Sequence, residues 1–157
     1  MSKEEEILQA LVKKFGFLEN RIKTQRPRRI LADVDIGNFK TLLDYAVKEL
    51  RFPILLTMTG LDEGEKIAVI YHMASEDGCI LNIRTAIAKV NPSLKTITDI
   101  FPNADIYERE LEDLLGIKVD GLAPGNRYPL PDGWPAGEYP LRKDWKKNKE
   151  KVGDDHA

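Results

Sequence analysis

Ile7, Leu8, Leu11, Val12 and Phe15 recur at helical spacing behind an acidic start. The spacing predicts an amphipathic helix from Glu4 to Phe15, with Ser2 as N-cap and Gly16 as its stop. Two short strands are expected next, near Phe17 to Thr24 and Arg29 to Val34. The basic turn Arg26-Pro27-Arg28-Arg29 lies between them. A second apolar stripe, Phe39, Leu42, Leu43, Ala46, Val47 and Leu50, predicts a helix over Ile36 to Leu50 capped by Asp35. Three strand-like runs follow: Ile54 to Leu61, Lys66 to Met73 and Cys79 to Ala86. Their polar turns carry Gly64 and Gly78, where positive φ is useful. The order helix, two strands, helix, three strands implies an α+β fold with helices packed on a mixed or antiparallel sheet.

The texture changes from Val90. Asn91-Pro92-Ser93 and Phe101-Pro102-Asn103 punctuate a short turn of helix. A third helix is expected over Ala104 to Leu115, closed by Gly116. Ten glycines and prolines then fall between Gly116 and Pro140, which argues against any regular element there. The chain therefore divides into an α+β domain (1–116), an extended arm (117–145) and a Lys-rich tail (146–157) expected to fray.

Composition narrows the class. With 157 residues, 42% hydrophobic and 32% charged, the chain suits one globular domain with a sizeable core. A net charge of -2 offers no global field for nucleic acid or an anionic membrane. Apolar stretches such as Phe52 to Met58 are too short to span a bilayer, and the acidic N-terminus is unlike a signal peptide. The simplest location is cytoplasmic, with any membrane contact made through partners. The lone Cys79 reads as a small buried hydrophobe.

Catalytic chemistry is not suggested. Glu108, Glu110, Glu112 and Asp113 share one predicted helix. Arg109 stands within reach of Glu112 or Asp113, which suits a solvated or ion-paired face better than acid/base work. His72 sits in a strand and His156 near the end, so neither a zinc site nor a catalytic triad is suggested. Nucleotide-binding glycine motifs are absent, and one cysteine cannot hold an iron–sulfur cluster. The basic run Arg142 to Lys151 reads as a solvated tail, with an acidic protein or lipid headgroup as the alternative. The arm carries Arg127, Tyr128, Trp134, Tyr139, Arg142 and Trp145, the residue types that dominate interface hot spots. Two readings stay open: an arm that packs on its own domain, and one that packs on a partner.

At these residues the sequence resembles a known family. Tyr107-Glu108-Arg109-Glu110-Leu111-Glu112-Asp113-Leu114-Leu115-Gly116-Ile117 resembles the ERE…D-[hydrophobic]₂-GI signature of the respiratory complex I (NADH dehydrogenase) 30 kDa subunit family. Pro131-Asp132-Gly133-Trp134 and Tyr139-Pro140-Leu141-Arg142-Lys143-Asp144-Trp145 resemble its PDDW and YPLRKD(F/Y/W) segments. Ile70-Tyr71-His72-Met73 and Thr98-Asp99-Ile100-Phe101-Pro102-Asn103-Ala104 resemble two further motifs, so the likeness covers roughly Ile36 to Trp145. Gly121-Leu122-Ala123-Pro124-Gly125-Asn126-Arg127-Tyr128 departs from the usual Gly-His-Pro-Asp-Leu-Arg-Arg run. It looks closer to the version in membrane-bound, energy-converting [NiFe] hydrogenases and related ferredoxin-linked complexes.

The resemblance implies a cofactor-free peripheral subunit of an ion-translocating redox complex, on the cytoplasmic side of the membrane. It would embrace a large catalytic subunit that holds the [NiFe] centre or its quinone-site counterpart, near a small iron–sulfur subunit. No nucleic acid is implied. Glu108, Arg109, Glu110, Asp113 and Gly116 are then expected to orient the helix and its turn. Arg127, Trp134, Tyr139, Leu141, Arg142, Lys143, Asp144 and Trp145 are expected to anchor the arm. The same subunit type in a quinone- or sulfur-linked complex is the first alternative. A stand-alone enzyme using Glu108, Glu110 and His72 is another, and a module binding acidic surfaces through Arg26 to Arg29 and the tail is a third.

Overall fold

The computed structural model describes residues 1–146; the Lys-rich tail beyond them, with His156, lies outside the described residues. Helix α1 spans Lys3–Lys14. Its start is the expected one. The Ser2 hydroxyl accepts from the Glu5 N–H while the Glu5 carboxylate accepts from the Ser2 N–H, a reciprocal capping box. A strand is expected from Phe17, but Gly16–Leu18 forms a single 3-10 turn. Leu18 N–H donates to Phe15 O there, burying Leu18 and delaying strand β1 to Ile22–Arg26.

Strand β2 covers Arg29–Asp33 and helix α2 covers Phe39–Lys48. Asp35 does not cap α2. Its carboxylate instead accepts two bonds from the Arg21 guanidinium, at 3.0 and 3.1 Å. With Gly37 disfavouring helix, the first turn waits until Asn38, which makes no side-chain cap.

Strands β3 (Ile54–Asp62), β4 (Lys66–Ala74) and β5 (Ile80–Ala88) complete a five-stranded sheet of order β1-β2-β5-β4-β3. Only β2 and β5 run parallel, so the sheet is mixed and β3 is an edge strand. Ile67, Val69, Tyr71 and Met73 alternate along β4 and are fully buried. Phe39 of α2 stacks on Tyr71, with ring centroids 5.3 Å apart, so this is the helix-covered face. On the other face His72 is half-buried, its ring nitrogens bonded to Thr59 and Asn82. Cys79 is buried as expected, and burial pushes its thiol pKa up.

Helix α3 spans Ala104–Leu115 and packs against β3. Two three-residue strands flank it, β6 (Ser93–Lys95) and β7 (Lys118–Asp120), pairing in parallel. They correct the expectation that nothing regular follows Gly116, while the turn of helix expected before Phe101 is present, Phe101 N–H donating to Ile97 O. Ile117 and Val119 are buried, so the core continues past residue 116. Among the described residues, no helix is long and apolar enough to cross a membrane.

Candidate docking interface

Helix α3 is the element on which the motif residues converge. Its apolar stripe, Leu111 and Leu115, lies on β3 so closely that a Cβ at Gly60 would meet both leucine side chains. Asn103 and Tyr107 hold the other end by donating to the carbonyls of Leu55 and Leu56.

Glu108 is not solvated, against expectation; it is fully buried. One carboxylate oxygen accepts from the Ile97 N–H at 2.7 Å and the other from the Thr96 hydroxyl at 2.6 Å. Burial raises its pKa, and these two bonds oppose the rise. Its role is to fasten the segment after β6 to α3. His72 belongs to a separate bonding group with Thr59 and Asn82, so Glu108 and His72 of the stand-alone enzyme reading form no shared hydrogen bond.

Arg109 turns back to Asp105, not to Glu112 or Asp113, and also donates to Ala123 O at 2.7 Å. Glu112 accepts from the Val119 N–H, fixing the small sheet to the helix. Asp113 accepts from Arg127 at 3.0 Å and from the Leu130 N–H at 3.1 Å. Arg127 also donates to Trp134 O. The first half of the arm is therefore tied to α3 by charge-assisted bonds.

The second half meets the helix end. Gly116 has φ +68°, the left-handed conformation that suits glycine at a helix terminus. The Tyr139 ring lies over it, and a Cβ there would collide with the ring. The Arg142 guanidinium sits 4.8 Å from the Tyr139 ring centroid. Its Nε donates to Leu115 O at 2.7 Å, while Leu141 N–H donates to Leu114 O at 3.0 Å. Trp134 and Trp145 pack with centroids 5.9 Å apart, both indole N–H groups donating to Glu138.

Lys143 and Asp144 lead to a site that motif reading missed. Asp62 of β3 is buried and accepts from Lys89 at 2.7 Å, from the Lys143 N–H at 2.8 Å and from the Gly64 N–H at 2.9 Å. Lys89 also bonds Asp144 at 2.9 Å. The Lys89 bond holds the Asp62 carboxyl far below the usual carboxylate range. The signal lay in strand parity: Asp62 shares the helix-covered face with Met58 and Gly60. A carboxylate on that face requires a buried cation or donors.

The arm's inner surface thus belongs to its own domain. Its outward residues include Leu141, 53% exposed, and Tyr128, 42% exposed. A groove lined by Lys89, Asn91, Lys118, Tyr139 and Arg142 runs between arm and domain. No group of three or more His, Cys, Asp or Glu suited to a metal ion occurs among the described residues.

Comparison with known proteins adds to this geometry. A family model described as "Respiratory-chain NADH dehydrogenase, 30 Kd subunit" matches residues 32–151. A subunit of the F(420)H(2) dehydrogenase of Methanosarcina mazei is 30% identical over 142 residues, 88% of this chain and 89% of that protein. A longer NADH-quinone oxidoreductase subunit from Shewanella oneidensis is 32% identical over 159 residues, 91% of this chain but only 26% of its own length. Among solved structures, a chain of the membrane-bound sulfane sulfur reductase, an archaeal respiratory membrane complex, superposes with a TM-score of 0.81. It is 29% identical, and the match covers 92% of this chain and 86% of that one.

Proposed function

Because the chain belongs to the respiratory-chain NADH dehydrogenase 30 Kd subunit family, and so is a subunit of a complex I-type respiratory complex, we propose that it is a non-catalytic peripheral subunit that docks on and stabilises the large catalytic subunit. The observation that carries this reading is the arm. It is fastened to α3 along its inner side while it presents Tyr128 and Leu141 outward. A segment without regular structure whose aromatic and arginine residues are already held in place loses little entropy on binding. In this reading the chain carries no cofactor; the [NiFe] centre and iron–sulfur clusters belong to the large and small partner subunits. Membrane association is made through the complex, on its cytoplasmic side, and ion translocation belongs to the assembly.

The turn Gly121 to Tyr128 supports an energy-converting [NiFe] hydrogenase-like complex. A second reading, a sulfur-linked relative, is favoured by the likeness to the sulfane sulfur reductase chain. Recovery of the complex through a tag on this chain tests both. A large subunit with two CxxC pairs supports the hydrogenase type, and one without them supports the other. Truncation after Gly121 is expected to abolish recovery of the large subunit; undiminished recovery would overturn the docking role.

A further inference from the structure

Helix α3 carries five carboxylates, and four of them are satisfied within the chain. Asp105 pairs with Arg109, Glu108 holds Thr96 and Ile97, Glu112 holds Val119, and Asp113 holds Arg127 and Leu130. Glu110 is the exception. It is half-buried, and among the described residues it makes no hydrogen bond or ion pair. A carboxylate without a donor keeps its acceptor positions available to a cation from outside.

Its surroundings combine apolar side chains with Thr57 and Thr59. Glu110 lines a groove of about 260 Å³ with Met58, Gly60, Leu111, Leu114 and Leu141. Ile106, one turn earlier on the same side of the helix, is 44% exposed. Leu56 is equally exposed and lies next to α3, where Tyr107 donates to its carbonyl. The floor of the groove is the sheet edge. In the β3–β4 hairpin Glu63 N–H donates to Lys66 O, so hydrogen-bonded pairs alternate from that point. The alternation turns the peptide groups of Met58 and Gly60 away from β4, toward open edge.

We infer that this groove receives an extended segment of a partner subunit, which places an apolar side chain between Ile106 and Leu141 and an arginine or lysine on Glu110. Edge peptides at Met58 and Gly60 supply main-chain bonds, and the unpaired carboxylate supplies selection for a basic residue. A second copy of this chain is the wrong occupant, because its β3 edge strand carries no arginine or lysine to place on Glu110. The inference rests on the docking role proposed above and assigns it a second contact, on α3 and the β3 edge, that meets the arm at Leu141.

The test uses the intact complex. A benzophenone amino acid placed at Ile106 or at Leu141 is photoactivated, and the cross-linked peptides are sequenced. Both positions are expected to label one partner-subunit segment that has a basic residue beside an apolar one. Glu110→Lys is expected to lower recovery of that subunit at least tenfold and Glu110→Gln several-fold, with Glu76→Gln as an unaffected control. The melting temperature of each isolated variant chain should match the parent. Changing the mapped basic residue to Glu should restore recovery with Glu110→Lys. Labelling of a second copy of this chain, absence of labelling, or parental recovery with Glu110→Lys would overturn the inference. The truncation after Gly121 distinguishes the two levels. If it abolishes recovery while Glu110→Lys does not, docking stands and the groove assignment falls.

Discussion

Arg142 closes the end of a helix that finished 27 residues earlier, its Nε donating to Leu115 O at 2.7 Å. The final carbonyls of an α-helix have no partner within it, and a cation there also meets the negative end of the helix dipole. Leu141 N–H satisfies Leu114 O beside it. Arm and helix are therefore one structural unit. Replacing Arg142 with Ala is expected to cost about 1.5–3 kcal/mol, the range for a hydrogen bond involving a charged group. Urea unfolding of the isolated chain measures it. Unchanged stability, with no faster protease cleavage in the arm, would refute the capping role.

Gly116 is constrained twice, by its left-handed backbone and by the Tyr139 ring above it. Gly116→Ala is expected to destabilise by about 2–4 kcal/mol, combining a left-handed penalty of about 1–2 with overpacking of similar size. Adding Tyr139→Ala should recover the overpacking part only. Thermal melts of the two single variants and the double variant form the cycle, and strict additivity would show that the ring contributes nothing.

Glu108 sets a pH dependence of defined sign. Burial raises its folded pKa above the unfolded value, so the folded state retains the proton longer. Its contribution is fully present below the ordinary glutamate range and is lost as pH rises through the folded pKa. Glu108→Gln should flatten this part of the stability–pH curve, whereas Glu108→Ala should lower stability throughout by leaving Ile97 N–H and Thr96 without their acceptor. Denaturant midpoints between pH 4 and 8, as a range of about four units around the carboxyl titration, supply the comparison. Parallel curves for the parent and the Gln variant would contradict the assignment.

Asp62 works in the opposite direction. The bond from Lys89 lowers its folded pKa, so its contribution is present above the ordinary aspartate range and is lost as pH falls toward the folded value. Asp62→Asn should remove that acid-side loss and loosen Lys143 and Asp144. Hydrogen exchange at the Lys143 amide reads the second effect, and retained protection would argue that the arm is held there by other contacts.

The long elements were legible because their apolar stripes are long. The α1 stripe, the α2 stripe and the alternation of Ile67, Val69, Tyr71 and Met73 each repeat enough times to fix a period. What was illegible is short or distant. Three-residue strands such as Ser93–Lys95 and Lys118–Asp120 cannot show alternation, and their pairing spans an intervening helix. Asp35 had the residue type of a cap, but Arg21 competed for its carboxylate. On α3, the bounds Ala104 to Leu115 and the stop at Gly116 were legible. Helical spacing could not say that Glu108 would turn inward to Thr96 or that Arg109 would choose Asp105, because those outcomes depend on segments that fold against the helix from elsewhere.

The 27-residue interval between Leu115 and Arg142 bears on how the protein is made. A ribosome delivers the whole helix well before the residues that finish it, so a nascent chain exposes the helix end until the arm emerges. A product released before Arg142 therefore lacks the finished corner.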